Sequence, residues 1–487
     1  MKSKAVSGIM LTLILTGMLT LALDIHPIKA EDGTTKYPWT MFHHDLRHTG
    51  FSLSSAPSTN DILWTFETGD RIVSSPAVVN GKVFIGSMDK KMYAIDQFDG
   101  TLVWSVSLDH SIFYGSPAVY GNKIFVTVSG EIFAFDENTG DIIWSRVLGI
   151  ADQSSPAVVD GMVFVCSVSG TDVGQAGNIF ALDATTGSVI WRYLDETGGV
   201  WSSPAVADGM VFLQDIFGNV FALNQSTGDL IWINEIGYGT IISSPAVSGG
   251  RVFVGSTVRV NGNPSEGFLY ALDEYTGSIL WQSPTDGSIY SSPAVAYGNV
   301  FVGSYDGKIY AFNEINGNII WTFQTGPEPK LGIASSPAVA DGKVFVGSED
   351  YNLYALDAAT GTKIWSYATG HWVDSSPAVA DGAVYVGSLD SKVYAFGSPE
   401  PPSPVEATQE LIETIEAWNL PRGTENSLKT KLKVAIHMLD IGKENGAIRE
   451  LTAFIDRVEM LREKTLTNEQ ADYLTSEAQR IIDLINR

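Results

Sequence analysis

Between residues 61 and 396 the apolar positions come in short runs with period two, and turn residues break the runs at regular intervals. The runs recur. "ALDATTGSVIW" at Ala181–Trp191 returns as "AFDENTGDIIW" at Ala134–Trp144 and as "ALDAATGTKIW" at Ala355–Trp365. The register A-x-[DN]-x-x-x-G-x-x-x-W starts at Ala94, Ala134, Ala181, Ala222, Ala271, Ala311 and Ala355, seven copies in all. A second element, S-P-A-V, occurs eight times, with its Pro at 76, 117, 156, 204, 245, 293, 337 and 377. A third, such as Val344–Ser348 "VFVGS", lies between the two.

One unit therefore predicts four short strands. Strand A is S-S-P-A-V. A tight turn follows, such as Asn80-Gly81, Asp160-Gly161 or Asp341-Gly342, whose residues favour positive φ. Then come strand B (V-F-V-G-S), strand C (Y-A-L-D), a Thr-Gly turn, and strand D ending in Ile-Trp. Four strands per unit at a spacing of 39 to 48 residues predict one propeller blade each. The Gly-His and Trp-Asp signatures of the common forty-residue propeller repeat are not in register here. The last unit stops at Tyr394-Ala395-Phe396, without Thr-Gly or Trp, and an orphan strand D, Ile62-Leu63-Trp64, precedes the first unit. Together they predict one complete blade, so the ring has eight blades and closes through its N-terminal strand, leaving no interior sheet edge unpaired.

After Phe396 the period changes. Residues 397–405, "GSPEPPSPV", read as a Pro-rich linker. Beyond it the apolar spacing becomes helical. Leu411, Ile415 and Trp418 mark a first helix. Leu428, Leu432, Ile436 and Leu439 mark a second, ended by Gly442, and Ile448, Leu451, Phe454, Ile455 and Val458 a third. Thr467 with Gln470 predicts a capping box for a fourth, burying Leu474, Ile481 and Leu484 or Ile485. The fold expected is an all-β eight-bladed β-propeller (61–396) followed by a small all-α helical bundle (406–487).

The motif A-x-D-x-x-T-G-x-x-x-W resembles the tryptophan-docking motif of propellers in the pyrroloquinoline-quinone (PQQ) repeat family. "MFHHDLRHTGFS" at Met41–Ser52 resembles the leader that often precedes such repeats. The resemblance implies that Trp64, Trp104, Trp144, Trp191, Trp232, Trp281, Trp321 and Trp365 pack against the neighbouring blade as structural docking residues. The stretch from "LPRGTENSLKTKL" to "LTNEQADYL" resembles the FIMAH-type helical module of secreted and surface proteins.

Residues 1–30 read as a signal peptide: Lys2 and Lys4, an apolar run Gly8–Leu23, and a cleavage site near Ile28-Lys29-Ala30. A retained anchor is the rival reading. Residues 31–60 form the N-terminal leader, and no later run is apolar and long enough to span a membrane. The chain carries a formal net charge of -25, and residues 31–404 hold 39 acidic against 16 basic side chains. Such a surface repels phosphate backbones, which argues against nucleic acid as a partner. Cys166, the single cysteine, stands where "VFVGS" has Gly, so it reads as a small buried strand residue, and no internal disulfide can form.

In a propeller the D–A loops crowd the channel mouth, on the same face as the B–C loops. Two B–C loops read as long insertions, Ser167–Asn178 and Thr257–Gly267. Trp201 and Trp372 are off-register tryptophans just before strand A of the fourth and eighth units. With Phe113, Tyr114, Tyr290, Arg71, Asp152, Gln153 and Asp374 they form the candidate ligand-binding set at the mouth, a stacking site for something flat or extended. His43, His44, Asp45 and His48 have a spacing that could suit a metal on a helix, but Gly50 and the approach to a strand predict a packing role instead. No catalytic set and no metal site is read.

Family enzymes bind PQQ with calcium at this mouth, and many stack it on a vicinal Cys-Cys disulfide, which this chain lacks. Outer-membrane assembly scaffolds of similar fold are the non-enzymatic precedent. The expectation is a secreted or cell-surface, non-catalytic binding or scaffold protein with no cofactor, whose partner is a protein or a cell-surface polymer. The alternative is a PQQ-dependent oxidoreductase carrying PQQ and calcium. The oligomeric state is left open.

Overall fold

The computed structural model describes residues 37–149, 154–168, 177–196, 198–236, 243–260, 263–326, 331–397, 403–418, 420–462 and 464–485. Its β portion is eight sheets, each with four strands paired A-B-C-D, the seventh extended to five by Phe51–Ser52. The first blade runs Ala77–Val79, Lys82–Gly86, Lys91–Asp96 and Leu102–Ser107, and the following blades repeat it. The eighth is Ala378–Ala380, Ala383–Gly387, Lys392–Gly397 and, as strand D, Ile62–Glu67 from the chain's start. There Trp64 stands opposite Ala395, so the ring closes as the two fragments predict. The A strands line the axis and neighbour one another around it, the first beside the last.

The docking tryptophans join blade to blade. Each indole Nε1 donates to a carbonyl of the next blade: Trp64 to Gln97, Trp104 to Glu137, Trp144 to Ala184, Trp191 to Gln225, Trp232 to Glu274, Trp281 to Glu314 and Trp321 to Ala358, at 2.9–3.2 Å. Each of these rings lies over the Gly that closes the C–D turn of the next blade. A Cβ on Gly361 would come within 2.6 Å of Trp321, and Gly361 also has φ +71°, so the turn needs glycine twice over. The eighth blade has no such turn, and Trp365 instead donates to Pro57 of the leader at 3.2 Å. The leader thus supplies the missing dock.

A second ring, not foreseen from the sequence, lies nearer the axis. The Ser before each P-A-V takes a hydrogen bond on its Oγ from the equivalent backbone N–H of the preceding blade. The circuit runs Ser75, Ser116, Ser155, Ser203, Ser244, Ser292, Ser336, Ser376 and back to Ser75, at 2.8–3.1 Å throughout. Eight buried N–H groups that face no strand are satisfied in this way. Every outer strand also carries a bulge just before its Trp, as where Leu102 and Trp104 pair with Ile95 and Ala94 and Val103 is skipped. Bulged edges resist pairing with another chain.

Four expectations need correction. Thr257–Gly267 is not a loop: strands Arg251–Val260 and Asn263–Asp273 continue as a projecting hairpin, paired as far as Val260 with Asn263. The β-branched alternation of T-V-R-V simply prolongs strand B. Of Ser167–Asn178, the ends belong to strands Met162–Val168 and Gly177–Asp183, and 169–176 lie outside the described residues. The linker is shorter than 397–405. Gly397 ends a strand, and the first helix starts at Pro404, where Ser403 and Glu406 form a capping box behind a proline in the first turn. Trp418 caps that helix instead of lying in it, with its ring 5.7 Å from Tyr473.

The four helices, Pro404–Ala417, Arg422–Asp440, Glu444–Leu461 and Asn468–Ile485, enclose their own core of Leu411, Ile415, Leu428, Leu432, Leu451, Phe454, Leu474 and Ile481. The Thr467–Gln470 capping box is present, each backbone N–H bonded to the other's side chain. Among the described residues no helix is long and apolar enough to cross a membrane.

Two stability outcomes follow. Trp321→Ala removes a buried indole and its inter-blade bond and should cost about 3–5 kcal/mol in chemical denaturation. An isolated 403–487 fragment should melt cooperatively in far-UV circular dichroism, because its core draws on no propeller residue; a non-cooperative melt would contradict this.

Candidate functional site

The leader decides which face of the ring can bind anything. Trp39 exchanges two backbone bonds with Val78 of the first blade. The carbonyls of Thr40, Leu46, Arg47, Thr49 and Gly50 then accept from Val119, Val206, Val247, Val295 and Val339, the same position of strand A in blades two, four, five, six and seven. Phe51–Ser52 pairs in parallel with strand A of the seventh blade, and Ser54 reaches Gly382 in the eighth. The segment makes one turn around the inside of the ring. It fills the end of the channel where strand A runs into its turn.

His43 and His48 lie in this plug, fully buried. His43 sets Nδ1 2.8 Å from His48 O and Nε2 3.0 Å from Pro337 O, and as a neutral ring it donates to one of the two, while His48 Nδ1 donates to Pro245 O (3.1 Å). His43, His44 and His48 all have positive φ, which winds the chain tightly. His44 faces Asp45, whose carboxylate also holds the Thr49 N–H and hydroxyl. The role is packing and hydrogen bonding, and the helix that metal spacing would need is absent here. Among the described residues no group of three His, Cys, Asp or Glu side chains is placed to hold a metal.

The opposite face is the mouth. In four blades its B–C loop reads G-S-x-D-x-x-x-Y, and the Tyr hydroxyl donates to the Asp: Tyr93 to Asp89, Tyr310 to Asp306, Tyr354 to Asp350 and Tyr394 to Asp390, at 2.5–2.6 Å. The variable x sits against the adjoining D–A loop, its N–H bonded there: Met88 to Arg71 O, Tyr305 to Ser288 O, Glu349 to Gly332 O, Leu389 to Trp372 O. Two of these x residues, Tyr305 and Glu349, join the site. The sequence reading missed them, although variation inside an otherwise constant loop was the available signal.

Tyr305 meets Tyr290 edge-on at 4.6 Å, and Phe113 meets Tyr114 edge-on at 4.5 Å. Glu349 accepts the Gly332 N–H at 3.1 Å. Asp374 keeps Oδ1 buried without a hydrogen-bond partner among the described residues, and so does the Trp201 indole N–H. Burial and the Glu349 charge push Asp374 up to about 7. Burial, then the charges of Asp374 and Glu349, push Tyr114 up, and burial and Glu349 push Tyr305 up. Groups from blades two, six, seven and eight thus sense one another across the mouth.

The other candidates fall apart from this cluster. Trp372 packs on His371 at 5.6 Å, in a blade four away from that of Trp201, so the two indoles do not share one stack. Arg71 is exposed, with Nε 3.7 Å from Asp70. Asp152 and Gln153 lie outside the described residues.

The family described as outer membrane protein assembly factor BamB, a PQQ-repeat family, matches residues 54–193, 108–244, 175–263, 218–340 and 330–398. The chain belongs to the PQQ-repeat propellers. The FIMAH domain family matches residues 405–483. Among solved structures the chain is similar to BamB from Moraxella catarrhalis (20% identity, TM-score 0.56, covering 70% of this chain and 98% of that one). It is also similar to the quinohemoprotein alcohol dehydrogenase from Comamonas testosteroni (17%, 0.61, 77% and 85%) and to a europium-containing methanol dehydrogenase (16%, 0.60, 74% and 98%). At these identities the likeness shows the fold. No curated protein matches the sequence.

In this PQQ-repeat propeller Cys166 is buried, and its burial pushes the thiol up to about 12. In five blades this strand B position is a glycine packed under the pre-strand residue of the next blade. A Cβ on Gly86, the same position in the first blade, would come within 2.4 Å of Ile112 of the next blade.

The plug predicts an acid limit. Burial lowers His43 to about 4 and His48 to about 3, below the unperturbed value near 6.5. Both are neutral when folded, while the unfolded chain gains protons below pH 6.5. Their contribution is therefore complete above about pH 6.5 and is lost as pH falls toward 4. His43→Gln should flatten that acid limb in denaturant titrations.

Proposed function

We propose that this PQQ-repeat propeller is an exported, non-catalytic binding protein that holds an extended segment of a partner, protein or surface polymer, at its mouth. The observation that carries the reading is the pairing of a plugged channel floor with a mouth lined by Phe113, Tyr114, Tyr290 and Tyr305 around Asp374 and Glu349. Aromatic faces beside carboxylates favour a cationic group, such as a Lys or Arg side chain. The surplus of acidic residues would steer such a partner in. Residues 1–30 would direct export, and the FIMAH-type module would serve at the cell surface.

The quinone fits the described residues poorly. PQQ carries three carboxylates and would meet Asp374 and Glu349, while Arg71 turns to Asp70. One observation favours the oxidoreductase reading all the same: Asp374, held near pH 7, lies in the range of a general base.

The two readings separate experimentally. A Lys/Arg-rich peptide should bind by calorimetry, weaken in high salt, and bind severalfold more weakly to Glu349→Gln and Trp201→Ala. With PQQ, Ca²⁺ and an artificial electron acceptor, alcohols and aldoses should give no turnover. Turnover abolished by Asp374→Ala would overturn the binding reading.

A further inference from the structure

On the plugged face, the end of one blade's strand A or its A–B turn can meet the residue that follows A-x-[DN] in the next blade. At four junctions that meeting joins a donor to an acceptor. Gln97 Nε2 donates to Asp381 (3.3 Å), Asn80 Nδ2 to Glu137 (2.8 Å), Gln225 Nε2 to Asp160 (3.2 Å) and Ser248 Oγ to Glu314 (3.2 Å). The junction of blades four and five differs from these four, because it sets Asp208 against Glu274, each the other's side-chain neighbour. Glu274 is 0% exposed, and no N–H or O–H of the described residues donates to either of its carboxylate oxygens. Two carboxylates in contact can bond only through a proton, which neither ionised group brings.

The groups around the pair are few. Arg47 of the leader donates from Nη2 to Asp208 Oδ1 at 2.9 Å, and its carbonyl accepts from Val247 of blade five. Arg47 therefore bridges the junction. Tyr275 donates its hydroxyl to Asp208 Oδ2 at 3.1 Å. Asp273 stands next along the chain, its own charge held by the Thr276 hydroxyl and N–H. Above the pair, Trp232 donates to the Glu274 carbonyl.

We propose that Asp208 and Glu274 share one proton, and that this proton is a pH-dependent latch joining blades four and five beneath the leader's Arg47. At low pH the shared proton closes the junction as an amide does at its siblings. When it leaves, the buried Glu274 carboxylate faces the negative charge of the exposed Asp208, and only Arg47 spans the junction. The electrostatics agree in direction. Burial and Asp208 push Glu274 up to about 7, while Asp208, despite its own burial, is held low by Glu274, Arg47 and Tyr275. A carboxyl raised in the folded state keeps a proton that the unfolded chain has lost. Stability then falls as pH rises from the ordinary Glu value toward about 7, and levels off above it.

The test compares the full chain with Glu274→Gln, which installs the amide that blades one and four already use. Comparing the two proteins cancels the titrations of His43, His48 and Asp374. The ratio of folding constants, variant over wild type, should rise about tenfold per pH unit between about pH 5 and 7 and then flatten. Asp208→Asn, which supplies the donor from the other side, should flatten the same limb. Amide exchange at Val206 and Val247, which bond the leader carbonyls of Leu46 and Arg47, should quicken beyond the chemical rate as pH rises through 7 in wild type and not in Glu274→Gln. A ratio that is constant with pH, or a Glu274→Gln protein less stable than wild type at pH 8, would overturn the latch.

Discussion

The structure depends on one repeated hydrogen bond, from a tryptophan indole N–H to a carbonyl of the next blade. A single four-stranded blade buries too little to stand alone, so each must be held to two neighbours. The indole fixes that hold in direction as well as in area, because its N–H must reach a carbonyl while its ring lies on a glycine. Eight such bonds close a circle only if the last blade finds a carbonyl too. The chain meets this condition with Pro57, a residue that precedes the propeller in sequence. Ring closure and leader placement are therefore one event. The strand that completes blade eight and the segment that docks Trp365 are separated by only a few residues.

That linkage turns a symmetric ring into a one-sided molecule. The leader bonds to the inner strands of the blades in turn and occupies the channel from the side of the A–B turns. What is left open is the face of the D–A and B–C loops. On that face the blades are unequal. Blades six, seven, eight and one share the Tyr–Asp bond that ties down the B–C loop. Blades three and five carry the longer B–C connections instead, and blade five projects its hairpin there.

The eight blades, their closure and the four helices were legible because each rests on a local signal repeated many times. Period-two runs, Asp-Gly turns and the Thr-Gly to Trp spacing all agree with one another. The serine ring was not legible, since nothing in S-S-P-A-V says that its second hydroxyl accepts from another blade 39 to 48 residues away. The plug was half legible: the histidines read as packing residues, yet a turn wound through positive φ gives no hydrophobic period. At the mouth, Tyr114, Tyr290 and Asp374 could be named because they stand before strand A, whose position the repeat marks. Glu349 and Tyr305 were missed, because they arrive from the B–C loops of adjacent blades, where only variation inside an otherwise constant loop marks them.

The same reasoning explains why departures from the repeat carry more information than the repeat. A position that recurs from blade to blade answers a demand made repeatedly, and such a demand is structural. Gly86, Gly255, Gly303, Gly347 and Gly387 all leave room for the pre-strand residue of the next blade, as Ile112, Ile289, Ile333, Val373 and Ile72 show. Where one blade differs and the fold is unharmed, the difference is free to serve something else. Asp374 leaves a buried oxygen unpaired at the mouth, and Glu274 faces an acid where its siblings face a donor or present one. Both cost stability when ionised, since a buried carboxylate without a donor is disfavoured. Their costs fall on opposite faces of the ring, one on the open mouth and one beneath the leader that shuts the floor. In a scaffold this regular, those two local penalties mark where the fold departs from its own rules.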